Sequence, residues 1–351
     1  MRSLITFVGL CAILAACRDG DSPPSADVAR FESVEMTVEG PAGRLAGTLL
    51  RPDGSGACPA AILIPGVGAH DRDYTLWGRP RFRILAEHLA RHGIATLRYD
   101  ERGVGETTAD PSGATSADHA RDVLAWLEAL ARRGDVVDST RIGLIGHSEG
   151  GTIATLAAAG SKTVAFVVLL ASPGLPGREY NLQYEASMAR AMGLDERAVA
   201  GRRALQERVL DALLETPDSA VAARRLRAIY AEATPDVPEA ALERGIRRLT
   251  SPWFRFSLAH DPAETLRAVE VPVLAVFGER DRQVPPAGNR DVFEASLDVA
   301  SGVDRVVVLS GLNHFLQHAV TGAPGEYPAI EEAWAPEALE VIASWVRARV
   351  R

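Results

Sequence analysis

The stretch of residues 141–159, RIGLIGHSEGGTIATLAAA, places a Gly-x-Ser-x-Gly pentapeptide between an apolar run and a row of small residues. Residues 141–145 predict a buried strand, and residues 151–159 predict a helix. A serine in such a sharp turn is held in a strained conformation that exposes its hydroxyl, and the flanking glycines prevent steric clashes. We therefore interpret Ser148 as a candidate nucleophile at the end of a strand.

Seven further short apolar or β-branched runs alternate with helical patterns along the chain. This alternation predicts an α/β fold, with an eight-stranded, mostly parallel sheet that carries helices on both faces. The first two runs favour an antiparallel pair, and the others have the continuous apolar character of buried strands. The eight predicted strands span residues 34–38, 44–51, 60–64, 95–99, 141–145, 164–170, 271–277 and 305–309.

Residues 174–270 break this alternation, because they contain almost no strand-like run and consist mainly of charged amphipathic helical patterns. Between residues 178 and 248, twelve arginines balance twelve acidic residues, which is typical of an ion-paired surface in solvent. We interpret residues 174–270 as a helical cap inserted into a core formed by residues 31–173 and 271–351. Since the interval 178–248 has no histidine or cysteine, we predict no structural zinc there, and we assign no metal site elsewhere.

A serine hydroxyl is a weak nucleophile, so Ser148 needs a base and the base needs an orienting carboxylate. His314 follows the last predicted strand, and its loop opens at the edge of the sheet where Ser148 lies. The turn after residues 271–277 supplies two carboxylates, Glu279 and Asp281, and we favour Asp281. The order serine, acid and histidine along the chain is one known order of such triads.

The other seven histidines receive no catalytic role from their positions. Surface exposure or packing is the commoner explanation for the four that lie at helices or within the pentapeptide, namely His88, His92, His119 and His147. The sequence leaves His70, His260 and His318 unassigned.

A glycine-containing turn after residues 60–64 offers a site for developing negative charge. It reads PGVGAHDRD over residues 65–73. Acyl transfer builds charge on the former carbonyl oxygen, and fixed N–H donors stabilise it. We assign these donors to the backbone of Val67 and Glu149. The charged residues 71–73 either touch the substrate or form ion pairs that brace the loop, and ion pairs are the commoner arrangement.

The amino-terminal segment predicts export. Arg2 precedes an apolar run that is too short to cross a bilayer. The sequence LAAC at residues 14–17 resembles the lipobox of bacterial lipoproteins, in which the matched cysteine is lipidated; an ordinary signal peptide cut at the same place is the alternative. We expect a signal peptide over residues 1–16, a lipid anchor on Cys17 and an unfolded tether over residues 17–30. The protein would then be held at a membrane of the bacterial cell envelope.

The net charge of the chain is −8, and its lysines and arginines are scattered rather than gathered on one face. Nucleic-acid binding requires clustered positive charge that neutralises phosphates. The composition therefore excludes nucleic acid as an expected partner.

The motifs together resemble those of α/β-hydrolases related to bacterial carboxylesterases and serine aminopeptidase-like enzymes. The resemblance covers residues 34–349 without the cap. The motifs that carry it are the PGVG loop, the turn RYDERG at residues 98–103, the pentapeptide, the turn GERD at residues 278–281 and the pair Asn313-His314. The resemblance implies the α/β-hydrolase fold and a serine hydrolase that cleaves esters of small or medium substrates through an acyl-enzyme, without a cofactor. The loop at residues 65–73 lacks the His-Gly-Gly-Gly form of some lipases, which puts lipase activity in doubt.

Other functions stay open at this point. A peptidase or amidase and a thioesterase would share the triad, and a binding lipoprotein could retain the fold without catalysis. Substrate choice depends on cap side chains that are either cap core or pocket wall. The candidates are Tyr180, Tyr184, Met188, Met192, Trp253, Phe254 and Phe256.

Overall fold

The computed structural model describes residues 31–54 and 56–351. The predicted signal peptide, the predicted lipidation site Cys17 and the tether over residues 17–30 lie outside these residues. Within the described part of the chain, no helix combines the length and the apolar character that a membrane span requires.

An eight-stranded sheet forms the centre of the fold and confirms the predicted α/β-hydrolase architecture. The strands of the described residues are β1 (Phe31–Gly40), β2 (Gly43–Pro52), β3 (Cys58–Ile64), β4 (Thr75–Leu76), β5 (Arg79–Pro80), β6 (Ala95–Tyr99), β7 (Val137–His147), β8 (Val164–Leu170), β9 (Val273–Gly278) and β10 (Arg305–Leu309). The sheet has the order β1-β2-β6-β3-β7-β8-β9-β10. Strand β2 runs antiparallel to β1 and β6, and the remaining pairs are parallel, so the carboxyl ends of β3 and β6 to β10 meet at one edge.

Helices cover both faces of the sheet, as the apolar character of its strands predicts. The helices are α1 (Arg81–Arg91), α2 (Ser116–Ala131), α3 (Glu149–Ala159), α4 (Gly177–Ala191), α5 (Glu196–Leu214), α6 (Ser219–Ala233), α7 (Glu239–Leu249), α8 (Pro252–Ala259), α9 (Pro262–Arg267), α10 (Pro286–Ser296) and α11 (Pro336–Arg349). Helices α1 and α11 pack on one face through residues such as Leu85 and Ile342. Helices α2, α3 and α10 pack on the other through Trp126, Ile153 and Phe293.

Six helices, α4 to α9, follow one another between β8 and β9. Five of them, α4 to α8, share a hydrophobic cluster of their own that includes Leu182, Val209, Leu213, Leu226 and Ile246. Their outer surfaces carry ion pairs of exposed side chains. The division of the chain into a core and an inserted cap stays a prediction, to which this separate cluster lends support.

The small hairpin formed by β4 and β5 has no counterpart in the sequence-based expectations. Each strand has only two residues, which is too short for a periodic pattern. The ring of Trp77 at its tip lies 5.3 Å from that of Phe315 and 5.5 Å from that of Tyr327, measured between centroids. The hairpin therefore packs against the loop that follows β10.

Candidate active site

Ser148 lies in the turn between β7 and α3, with φ of 55° and ψ of −121°. Positive φ is uncommon for residues other than glycine, because the Cβ atom then crowds the backbone. The turn is also tight, since a methyl group on Gly150 would lie 2.2 Å from the carbonyl oxygen of Ile64. The backbone N–H of Ser148 donates to the carbonyl oxygen of Leu170 at 2.8 Å. The structure thus contains the strained strand-to-helix turn that the pentapeptide predicts.

His314 and Asp281 contact each other in the loops that follow β10 and β9. The distance from Nδ1 of His314 to Oδ2 of Asp281 is 2.8 Å, and the two residues are 3% and 1% exposed. The other carboxylate oxygen accepts hydrogen bonds from the backbone N–H groups of Gln283 at 2.7 Å and Val284 at 2.8 Å. Asp281 is therefore held from its own loop while it orients the imidazole of His314.

Glu279, the alternative carboxylate, has other partners. Its Oε2 accepts from the hydroxyl of Ser310 at 2.7 Å and from the backbone N–H of Gly311 at 2.8 Å. These bonds lower the pKa of Glu279, and the side chain is exposed. Glu279 braces the loop after β10, whereas Asp281 faces the histidine.

Asn313 shapes the loop that carries His314. Its side-chain oxygen accepts from the backbone N–H groups of Phe315 at 2.9 Å and Gln317 at 3.1 Å, and the residue is fully buried. The same loop contains Leu316 at φ of 52°. In the Asn-His pair noted in the sequence, Asn313 thus shapes the loop and His314 supplies the imidazole ring.

His147, the residue before the candidate nucleophile, ties the elbow to the loop of His314. Its Nε2 donates to the carbonyl oxygen of His314 at 2.9 Å, and its Nδ1 accepts from the hydroxyl of Tyr74 at 3.1 Å. Burial and the neighbouring His314 lower the pKa of His147 well below its usual value, so the ring is neutral. Ser148, Asp281 and His314 are in this way brought to the same edge of the sheet.

The loop after β3 lies on one side of Ser148, and the start of α3 lies on the other side. A methyl group on Gly66 would lie 3.2 Å from the Cβ atom of Ser148. Val67 and Glu149 border the same cavity as the serine, and a ring nitrogen of His70 donates to the carbonyl oxygen of Val67 at 3.0 Å. Val67 and Glu149 thus lie close to Ser148, as donors to an oxyanion must. The role of their two N–H groups stays a prediction.

A cavity of about 400 Å³ opens beside Ser148, between the core and the helices after β8. Its volume falls within the range of sites for small molecules. Five of the seven side chains that the sequence offered as pocket candidates line it, and the two methionines do not. The five are Tyr180, Tyr184, Trp253, Phe254 and Phe256. Polar and charged wall residues include Asn181, Glu185, Gln206 and Arg248.

A model of the alpha/beta hydrolase family matches residues 61–326. This chain belongs to the alpha/beta hydrolase family. The match contains Ser148, Asp281 and His314, together with the helices between β8 and β9.

Two curated relatives and one solved structure extend the comparison. The Esterase EstD of Thermotoga maritima is 28% identical over 298 residues, which cover 84% of this chain and 62% of the esterase. A polyketide transferase of a Penicillium species is 30% identical over 148 residues, which cover 39% of this chain and 46% of the transferase. The chain thus spans less than two thirds of the length of either relative. The crystal structure of a hypothetical protein of Pseudomonas aeruginosa has the same fold, with a TM-score of 0.56 and 17% identity over 97% of this chain and 100% of that one.

Glu149 joins three elements around the cavity. Its Oε1 accepts from the hydroxyl of Ser116 in α2 at 2.6 Å and from the indole N–H of Trp253 in α8 at 2.5 Å. The residue that follows Ser148 is therefore bonded to both the core and the helices after β8. Sequence analysis assigned only its backbone and missed this role of the side chain.

Two of the three charged residues 71–73, Arg72 and Asp73, form ion pairs. Arg72 lies 2.7 Å from Asp100 and 2.8 Å from Glu106, and Asp73 pairs with Arg98. The structure thus contains the ion pairs that were the more common of the two arrangements expected for this segment. These pairs hold the loop after β3 to the turn after β6.

Arg81 supports the loop that carries His314, and the sequence alone does not indicate this contact. It is 1% exposed, donates to the carbonyl oxygens of Phe315 and Ala333, and lies over the rings of Phe315 at 4.8 Å and Trp334 at 4.6 Å. Burial lowers its pKa to about 9. No local pattern marks it, because its partners lie more than 230 residues further along the chain.

Proposed function

We propose that this protein is a serine hydrolase that cleaves carboxylic ester bonds of small or medium-sized substrates through an acyl-enzyme. The observation that carries the proposal is the 2.8 Å contact between His314 and Asp281 at the edge of the sheet where Ser148 is strained to φ of 55°. The name of the relative EstD, an esterase, supports the same class of bond.

The reaction begins when the Ser148 hydroxyl attacks the ester carbonyl and His314 takes its proton. Asp281 keeps Nδ1 of His314 protonated, so that Nε2 is the atom that accepts. The backbone N–H groups of Val67 and Glu149 stabilise the oxyanion that forms. The imidazolium then protonates the leaving alcohol, and a water molecule activated by His314 hydrolyses the acyl-enzyme.

The helices after β8 act in this proposal as a cap that selects the acyl or alcohol group. A cavity of about 400 Å³ with five aromatic side chains favours a compact, partly apolar substrate. No cofactor takes part in these steps, since the serine supplies the nucleophile and the histidine moves the proton.

Replacement of Ser148 tests the proposal directly. The Ser148→Ala variant should lose turnover of p-nitrophenyl esters by at least about 10⁴-fold, because the nucleophile is removed, while its circular dichroism spectrum stays unchanged. The Ser344→Ala variant, altered at an exposed serine of α11, is the matched control and should keep full activity. Retained turnover in Ser148→Ala would exclude Ser148 as the nucleophile.

A panel of leaving groups separates the ester reaction from its alternatives. The carboxylates of Glu149 and Glu185 border the cavity, and a peptidase would need such a group for the amino end of its substrate. Glu149 already accepts two hydrogen bonds, and Glu185 pairs with Arg202 at 3.2 Å, so we favour esters over aminoacyl anilides. Thioesters belong in the same panel, because their hydrolysis would use the same serine and histidine. Failure of a fluorophosphonate probe to label Ser148 in the folded protein would instead favour a binding lipoprotein without catalysis.

We further propose that the protein is exported and held at a membrane of the bacterial cell envelope by a lipid on Cys17. The support comes from the sequence of residues 1–17 alone. Metabolic labelling with a radioactive fatty acid should modify the natural chain and leave the Cys17→Ala variant unlabelled. Equal labelling of both would contradict the anchor.

A further inference from the structure

Three side chains with metal-binding atoms meet at the contact of α1 and α11. They are His88 and His92 on α1 or at its end, and Glu340 on α11. One ligand atom from each lies within 4.8 Å of the others. Histidines four residues apart share one face of a helix, which places both imidazoles beside α11.

The hydrogen bonds of His92 leave one of its nitrogens free to bind a cation. Its Nδ1 donates to the carbonyl oxygen of His88 at 2.8 Å, so Nε2 carries the lone pair in the neutral ring. This Nε2 lies 3.9 Å from Oε2 of Glu340, which is too long for a hydrogen bond. An imidazole that donates Nδ1–H to a backbone carbonyl while Nε2 binds metal is the usual state of histidine ligands.

His88 presents a second nitrogen that the fold leaves unsatisfied. Its Nε2 is buried and has no hydrogen-bond partner among the described residues. Its ring lies 4.6 Å from that of His92, between centroids. A neutral imidazole carries a lone pair on one of its ring nitrogens, and a nitrogen without a hydrogen-bond partner is open to a cation.

We propose that His88, His92 and Glu340 form a Zn²⁺ site that links α1 to α11. Two imidazoles and a carboxylate suit Zn²⁺, with water as the fourth ligand. A tetrahedral site needs ligand atoms about 3.3 Å apart, and Glu340, whose side chain is 63% exposed, is free to close the remaining gap. The proposal revises the expectation that no metal binds and that these two histidines serve only surface or packing roles.

The neighbouring charges allow a cation to bind. Arg91 is the adjacent positive group, and it lies over the ring of Phe31 at 5.5 Å and pairs with Glu87 at 3.8 Å. His92 precedes β6, so the site lies at the edge of the sheet where β6 begins. Ser148 follows the end of β7, which runs in the same direction as β6, so the zinc site and the serine lie at opposite edges. The site is therefore separate from the proposed hydrolysis at Ser148.

Calorimetric titration of the untagged protein with Zn²⁺, after removal of metals by a chelator, tests the site. We expect one saturable site and a rise in Tm with Zn²⁺, because the metal binds only the folded state. The His92→Ala and His88→Ala variants should lose the binding, and Glu340→Gln should bind about tenfold more weakly, since one of three protein ligands is changed. Mg²⁺ should give no such heat, because it prefers oxygen ligands.

The matched control is His318→Ala, which removes an exposed histidine that also contacts two carboxylates. This control should bind Zn²⁺ like the natural protein, and ester turnover should be unchanged in His92→Ala. Absence of saturable binding at about 1 mM Zn²⁺, or loss of binding in His318→Ala but in none of the three other variants, would overturn the proposal. If His88→Ala does not fold, the variants at the partly exposed His92 and Glu340 still test the proposal.

Discussion

The sheet core and the helices between β8 and β9 are stabilised by different interactions. Helix α1 of the core and helix α7 after β8 each have 11 residues, but α1 buries six of them and α7 buries only Ile246. The charged residues of α7 instead face solvent, where Glu243 pairs with Arg227 of α6 at 2.5 Å. Exposed pairs of this kind typically contribute about 0 to 1 kcal/mol each.

This difference indicates that the two regions have different roles. The proposed catalytic groups are held in the core by buried hydrogen bonds, which fix the geometry that proton transfer needs. The helices after β8 have more exposed surface and weaker constraints, so their side chains can vary without disturbing the sheet. We expect substitutions in the core to affect turnover and stability, and substitutions in the helices after β8 to affect substrate binding.

The largest expected effect comes from the carboxylate of the proposed triad. Asp281→Asn should lower kcat by about 10³ to 10⁴-fold, because the amide no longer holds His314 in the productive tautomer. Steady-state kinetics on a p-nitrophenyl ester measures the change. Glu279→Gln is the matched control and should keep nearly full activity, since Glu279 faces Ser310 rather than His314. The reverse result would move the acid to Glu279.

Two glycines give opposite predictions for stability. Gly150→Ala should lower the free energy of unfolding by about 1 to 3 kcal/mol, because its new methyl group meets the carbonyl oxygen of Ile64 at 2.2 Å. Gly201→Ala in α5 should raise it by about 0.5 to 1 kcal/mol, since no described atom outside the adjoining backbone of α5 lies within 4 Å of the added group. Chemical denaturation measures both. A loss of similar size at Gly201 would remove the distinction between the tightly packed sheet core and the more open helices after β8.

The bond between Trp253 and Glu149 tests whether the cap governs binding. Trp253→Phe removes the indole N–H that donates to Glu149 at 2.5 Å, and a bond to a charged acceptor contributes roughly 1.5 to 3 kcal/mol. We expect KM to rise about tenfold while kcat changes less, because the triad is untouched. Trp345→Phe is the control, since its indole N–H has no partner among the described residues. A fall in kcat without a change in KM would assign Trp253 to the core chemistry instead.

Sequence patterns predicted the parts of the fold that depend on local composition. All eight strands of the main sheet were predicted. The pattern is clearest in buried parallel strands such as β3, β8 and β9, which are continuous apolar runs. Ser148, Asp281 and His314 were placed at one edge because each follows the end of a strand. Their catalytic roles stay predictions.

The features that the sequence did not reveal depend on contacts between distant residues. Trp253 and Glu149 are 104 positions apart, and neither has a local signal for the bond between them. The hydrogen bonds of Arg81 to the carbonyl oxygens of Phe315 and Ala333 also exist only in the folded chain. The meeting of His88, His92 and Glu340 requires the packing of α1 on α11, which no periodic pattern specifies.

The last expected effect concerns the pH dependence of stability through His147 in the core. Its pKa is lowered in the folded protein by burial and by His314, whereas in the unfolded chain it is about 6.5. Below pH 6.5 the unfolded chain therefore binds a proton that the folded protein does not, so stability falls as pH falls. The loss from this residue is about 1 kcal/mol at pH 6 and approaches about 1.4 kcal/mol per further pH unit. The free energy of unfolding, measured between pH 7.5 and 5.5 by denaturation, should fall less steeply in His147→Gln, where no proton is taken up. The exposed His318→Gln control should keep the steeper slope, and equal slopes in the natural protein and His147→Gln would show that other histidines carry the effect.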